Sequence, residues 1–158
     1  MTERPTPPPT LALAPEALGL FVVESLAGSV PIAIAAVVLS LLFVGGTSGI
    51  AISAAAVAVA VAIAAIVPRI RLARFRYEVR EDEIDLLRGV FVVTRTLVPM
   101  ARVQHVDTRR GPLSRLFGLA AVVFHTAAGA NEIPALRTAD AASIRDRIAE
   151  LAKTPEVL

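Results

Sequence analysis

Side chains able to do chemistry are few in this chain. Cys is absent, which excludes thiolate catalysis, disulfides and cysteine metal sites together. His105 and His125 are the two histidines, and neither stands at a metal-ligand spacing or beside a nucleophile motif. His125, at the end of an apolar run, reads as a packed or edge histidine. Glu78, Glu81, Asp82, Glu83 and Asp85 form an acidic run that a hard cation would favour, but they lack the ligand pattern of a calcium loop and read as a solvated turn between strands. Gly45, Gly46 and Gly49 lie in an apolar stretch and make no phosphate-binding loop. The expectation is a protein that is not an enzyme and takes no metal or cofactor.

What remains is arginine chemistry. Arg69, Arg71, Arg74 and Arg76 form one cluster, and Arg109, Arg110 and Arg115 form a second, close to Gln104. Guanidinium groups so placed suit anionic headgroups or acidic protein surfaces. Nucleic acid is excluded as a partner: the pI of about 9.9 reflects a net charge of only +2, acids interleave with the arginines, and aromatic residues make up 4%.

The elements that position these residues start from a bilayer. Between Ser25 and Val67 there is no charged residue, and Gly45, Gly46, Thr47, Ser48 and Gly49 interrupt the apolar run at its middle. Each half, about 25–44 and 50–67, is near the roughly 20 residues needed to cross a hydrocarbon core. Residues 25–67 are therefore predicted to be a transmembrane hairpin, preceded by a disordered or interfacial segment over 1–24 that is Pro-rich to Thr10. The arginines after the second span and the uncharged turn put the arginine side in the cytoplasm, with both termini. No ionisable group lies inside either span, so an ion pathway has no carrier. Ala54, Ala58 and Ala62 make a small-residue stripe that could face the first helix or another protein, or reflect the alanine-rich composition. Fifteen arginines against one lysine, Lys153, fit a GC-rich bacterial genome, hence the bacterial inner membrane.

Beyond the hairpin the pattern changes to strands. Arg74 to Arg80 alternates apolar and charged residues, and further strands are predicted at about Ile84–Arg88, Phe91–Val98, Arg102–Thr108, Leu119–Thr126 and Glu132–Ala135. Ala141, Ile144, Ile148 and Leu151 recur at helical spacing after a cap at Thr138 or Asp140. A domain over 74–153 is thus an antiparallel barrel or sandwich with one covering helix, an α+β unit on a membrane anchor.

The stretch Arg102-Val103-Gln104-His105-Val106-Asp107, then Gly111-Pro112-Leu113-Ser114-Arg115-Leu116-Phe117-Gly118-Leu119, resembles the signature of the bacterial pleckstrin-homology-like (PH-like), membrane-flanked domain proteins, in their short form with an N-terminal hairpin. The resemblance implies a PH-like fold of seven strands and a capping helix on the inner membrane, serving envelope assemblies. Longer relatives carry several such domains, and short ones are often encoded beside them. The absence of Trp departs from relatives with aromatic anchors near the first span. Physically, Val103, Val106, Leu113, Leu116, Phe117 and Leu119 are expected to share a core, so the motif serves folding. Exposed Gln104, Arg109, Arg110 and Arg115 are then a candidate docking edge. Two readings follow: a membrane-tethered interaction module that joins another membrane protein, a longer relative or a second copy, or a binder of anionic lipid through Arg69, Arg71, Arg74 and Arg76, which the positive-inside rule also explains.

Overall fold

The computed structural model describes residues 7–153; residues 1–6, the start of the Pro-rich segment, lie outside them, as do 154–158. The chain divides into two compact units, one of residues 18–71 and one that joins the segment ahead of it to residues 72 onward.

The first unit holds most of α1 (Ala17–Phe43) and α2 (Gly46–Arg74), both long and apolar enough to cross a membrane. Helix α1 thus begins upstream of the predicted span, and its 27 residues rise about 40 Å, more than a hydrocarbon core of about 30 Å requires. The turn is shorter than the five residues anticipated. Gly45 and Gly46 take left-handed φ of 61° and 55°, and the N–H groups of Val44 and Gly45 both donate to the Ser40 carbonyl at 3.1 and 3.0 Å. In lipid, backbone donors must be met internally, so the helix resumes as soon as these glycines have reversed the chain.

Close packing at this end needs Gly49, where an added Cβ would lie 2.9 Å from the Ser40 carbonyl oxygen. The hydroxyls of Ser40 and Ser53 stand 2.7 Å apart, with the Val37 and Gly49 carbonyls at 2.9 and 2.8 Å to accept the remaining proton. This contact fixes the rotation of α2. Gly49, Ser53, Ala56, Ala60 and Ala64 are then its shielded small residues, whereas the Ala54, Ala58 and Ala62 stripe is exposed. At the far end Arg71 pairs with Glu24 at 3.1 Å and lies over the Phe21 ring, 4.2 Å from its centroid.

Among the described residues, the second unit contains seven strands in two antiparallel sheets, which do not close into a barrel. One has the order β1 (Leu11–Ala12), β2 (Arg76–Val79), β3 (Glu83–Arg88), β4 (Thr94–Pro99); the other is β5 (Val103–Arg109), β6 (Leu119–Thr126), β7 (Gly129–Arg137). The strand ahead of the hairpin was not anticipated: Leu11 stands opposite Tyr77 and Ala12 opposite Arg76. From Leu11 the segment read as disordered or interfacial is therefore part of the domain. Ion pairing reinforces the join, since Arg137 reaches Glu16 at 3.1 Å and this contact, after a backbone hydrogen bond to the carboxylate, holds the Glu16 carboxyl below its usual range.

Strand β4 starts three residues later than predicted. Gly89 has φ of 138°, and an added Cβ would meet the Val92 carbonyl oxygen at 1.8 Å, so only glycine fits and the chain swings out of the sheet through Val90–Val93. In the core, Ile84, Leu86, Val122, Phe124, Ile133 and Ile148 are fully buried. All of Leu119–Phe124 is buried, so β6 is covered on both faces, partly by α4 (Thr138–Lys153), which packs on β5, β6 and β7. Ile148 and Ala141 form its buried stripe, as the spacing predicts.

Candidate functional site

The outer face of the β1–β4 sheet carries a charge network. Asp85 is fully buried, and Arg95 grips its carboxylate through Nε at 3.1 and 3.2 Å and Nη2 at 2.7 Å. Arg80 adds Nη1 at 3.6 Å while pairing with Glu83 and Glu78 at 3.0 and 3.1 Å. Both arginines also donate to the Pro7 carbonyl, at 2.7 and 2.9 Å, which straps the N-terminal segment over the pair. The bidentate carboxylate raises the already high pKa of the Arg95 guanidinium. The acidic run is thus split: Asp85 is structural and Glu81 and Asp82 form an exposed turn. Among the described residues no acid or histidine cluster could hold a metal ion.

The other sheet ends in β5, which is paired on one side only. Its register slips between Val103 and His105, a bulge at Gln104 that lets both Val103 and Val106 turn inward and bends the edge. Between this edge and α4 runs a cavity of about 260 Å³ lined by Val103, Gln104, His105, Val106, Ala149 and Lys153 among others. Four consecutive strand residues line it, so it opens on the strand's backbone edge as well as on a face. Further along, Asp107 accepts from or pairs with His105 at 3.0 Å and lies 4.0 Å from His125, the two rings being 5.9 Å apart. His105 and Asp107 at i, i+2 show this in sequence; the cross-strand His125 could not be foreseen.

Arg109 and Arg110 follow, then α3 (Pro112–Leu116) with Arg115, all three arginines exposed. Gln104 lies about 16 Å from Arg109 along the strand, so the four candidate residues mark two ends of one edge rather than one pocket. Leu116 corrects an expectation: in place of a core position it is 80% exposed. A five-residue helix has one turn, which turns Leu113 and Phe117 partly inward and leaves Leu116 outside among arginines.

The other arginines have separate partners. Arg69 donates to the Ala65 carbonyl at 2.6 Å, Arg71 pairs with Glu24, Arg74 donates to the Val90 carbonyl at 2.6 Å and Arg76 to the Phe75 carbonyl at 2.7 Å. Tyr77, buried in β2, has its hydroxyl pKa raised by burial and by the nearby charge of Asp140.

Two curated relatives from Bacillus subtilis (strain 168) match the chain. One is the UPF0699 transmembrane protein YdbS, 50% identical over 91 residues, which are 58% of this chain and 57% of YdbS. The other is the UPF0699 transmembrane protein YdbT, 30% identical over 81 residues, which are 51% of this chain and 16% of YdbT. The matched region thus spans little more than half of one relative and a small part of the other. No solved structure matches the chain. Two apolar helices and relatives named as transmembrane proteins make this a membrane protein. The profile of the bacterial PH domain matches residues 18–152, and with a hairpin followed by two antiparallel sheets and a closing helix, the chain belongs to the bacterial PH domain family.

Proposed function

We propose that this protein is a membrane-tethered interaction module, a non-enzymatic subunit of an envelope complex, that docks through the β5 edge onto another membrane protein. The observation that carries the reading is the single-sided pairing of β5 beside an open groove, with exposed Leu116 and three arginines at its far end. An extended partner segment lying along β5 would find backbone donors and acceptors, a groove of mixed polar and apolar lining near Gln104, and guanidinium groups for acidic side chains near Arg109, Arg110 and Arg115. A longer relative with several PH-like domains is the first partner to test, and a second copy is the next.

In this reading the protein is a multi-pass protein of the bacterial inner membrane with both termini and the domain in the cytoplasm. Pairing of β1 with β2 supports the even number of crossings, because strands on either side of the hairpin share one sheet. The arginine asymmetry supports the side. Sensing of anionic lipid by Arg69, Arg71, Arg74 and Arg76 gains less support, since each donates to a partner within the chain at 3.1 Å or less, closer than the 3.8 Å at which Arg109 faces Glu132.

The test is co-expression of the full chain with a several-domain relative and capture in mild detergent, with a photo-crosslinker at Gln104. We expect a crosslinked pair, lost when Arg109, Arg110 and Arg115 are all replaced by Glu. Recovery undiminished by the triple replacement would remove the β5 edge from the interaction.

A further inference from the structure

The turn between β3 and β4 exposes more apolar surface than its place in the domain explains. Phe91 is 92% exposed, Val92 77% and Val93 52%, three consecutive apolar residues at the tip of a polar domain. Such a patch marks a contact with a partner or a membrane. Its position is set by Gly89, whose conformation turns Val90–Val93 away from the ladder, and by Arg74, whose Nη1 donates to the Val90 carbonyl at 2.6 Å.

Arg74 is also the last residue of α2. It follows Val67, the end of the charge-free span, by seven residues, which is about 10 Å at the helical rise. The headgroup layer on each side of a bilayer is itself about 5–8 Å thick. A turn bonded to Arg74 is therefore within a side chain's length of the interface from which α2 emerges. Its rim is basic, with Arg88 exposed on one flank and, on the other, exposed Arg74, which donates to a neutral carbonyl and keeps its full charge, while the tip is a phenylalanine and two valines. Basic residues around an apolar tip match an interface of anionic headgroups over acyl chains.

We infer that Phe91, Val92 and Val93 insert into the bilayer that holds the hairpin, as a second, shallow membrane contact of the domain. The occupant of this patch is lipid rather than protein, because covalent attachment already holds the turn at the interface, where even a weak contact is effective at high local concentration. The contact orients the domain; it does not recruit it. It is independent of docking through β5, which lies in the other sheet.

The chain has no cysteine, so single replacements report cleanly. In full-length protein reconstituted in nanodiscs of phosphatidylglycerol and phosphatidylethanolamine, a polarity-sensitive fluorophore is attached at Val92→Cys, and in a parallel sample at exposed Ser143→Cys on α4. At position 92 we expect blue-shifted emission, quenching by lipids bearing a nitroxide high on the acyl chain, and loss of iodide quenching; at position 143 we expect the reverse. Equal iodide quenching at both sites, without lipid quenching at 92, would overturn the inference. Shielding of position 92 from both quenchers would also overturn it, because protein rather than lipid would then cover the patch. Replacing Phe91 and Val93 by Ser should return the probe at 92 to water, whereas a probe shielded by the fold alone would not respond.

Discussion

The sheet β1–β4 buries a charge and covers one edge with a strand from ahead of the hairpin, whereas the sheet β5–β7 buries an apolar strand on both faces and leaves the β5 edge open. Both belong to one small unit, but the first is laddered to the N-terminal segment through β1 and the Pro7 carbonyl, whereas the second meets that segment through the exposed Arg137–Glu16 pair at the end of β7. Constraint and freedom thus lie in different sheets. One sheet is locked by chain that leads into the membrane, and the other keeps surface for a partner.

The comparison breaks first, and hardest, at Ile148. This side chain is fully buried in the helix that covers the second sheet, so Ile148→Asp buries an unpaired carboxylate and should cost about 3–5 kcal/mol, enough to unfold a domain this small. Arg147→Asp, one residue away and exposed, should be nearly silent. Protease resistance in membranes separates the two outcomes.

In the first sheet, Asp85→Asn leaves Arg95 and Arg80 facing a neutral amide and should cost about 3 kcal/mol, read from urea midpoints in detergent. A variant as stable as the wild type would show that the network adds nothing beyond its packing. Deleting residues 7–12 removes β1 and the Pro7 strap and should cost about 1–3 kcal/mol, while leaving the β5 to β7 region unchanged in hydrogen exchange. Uniform loss of protection across both sheets would erase the distinction between them. Smallest in stability is replacement of Arg109, Arg110 and Arg115 by Glu, within about 0.5 kcal/mol of wild type, because all three are exposed. Its effect should appear in partner recovery alone.

Features with a period or a charge gap were legible in the sequence. The uncharged stretch from Ser25 to Val67 announced the hairpin, and Ile144, Ile148 and Leu151 announced α4. The family signature carried the fold, because a gapped motif ties β5, α3 and β6 together in one reading. What escaped depends on partners far apart in the chain. Strand β1 has two residues and no period, and it exists because Tyr77 and Arg76 lie beside it. Asp85 looked like its acidic neighbours until register placed Arg95 next to it on β4. Phe91–Val93 is as apolar and β-branched as a strand, but the positive φ of Gly89 sends it outward, a backbone fact that side-chain patterns do not encode. In the same way, the pairing register that brings His125 next to His105 and Asp107 is invisible at a separation of some 20 residues.

We propose one cytoplasmic domain assembled from chain on both sides of a transmembrane hairpin. Its most direct test is impermeant maleimide labelling of intact cells carrying single cysteines at Thr10, Thr47 or Ser143, three exposed positions before, within and after the hairpin. We expect labelling at position 47 alone, with positions 10 and 143 reacting only after the membrane is opened. Labelling of position 10 or 143 in intact cells, with position 47 protected or not, would contradict it.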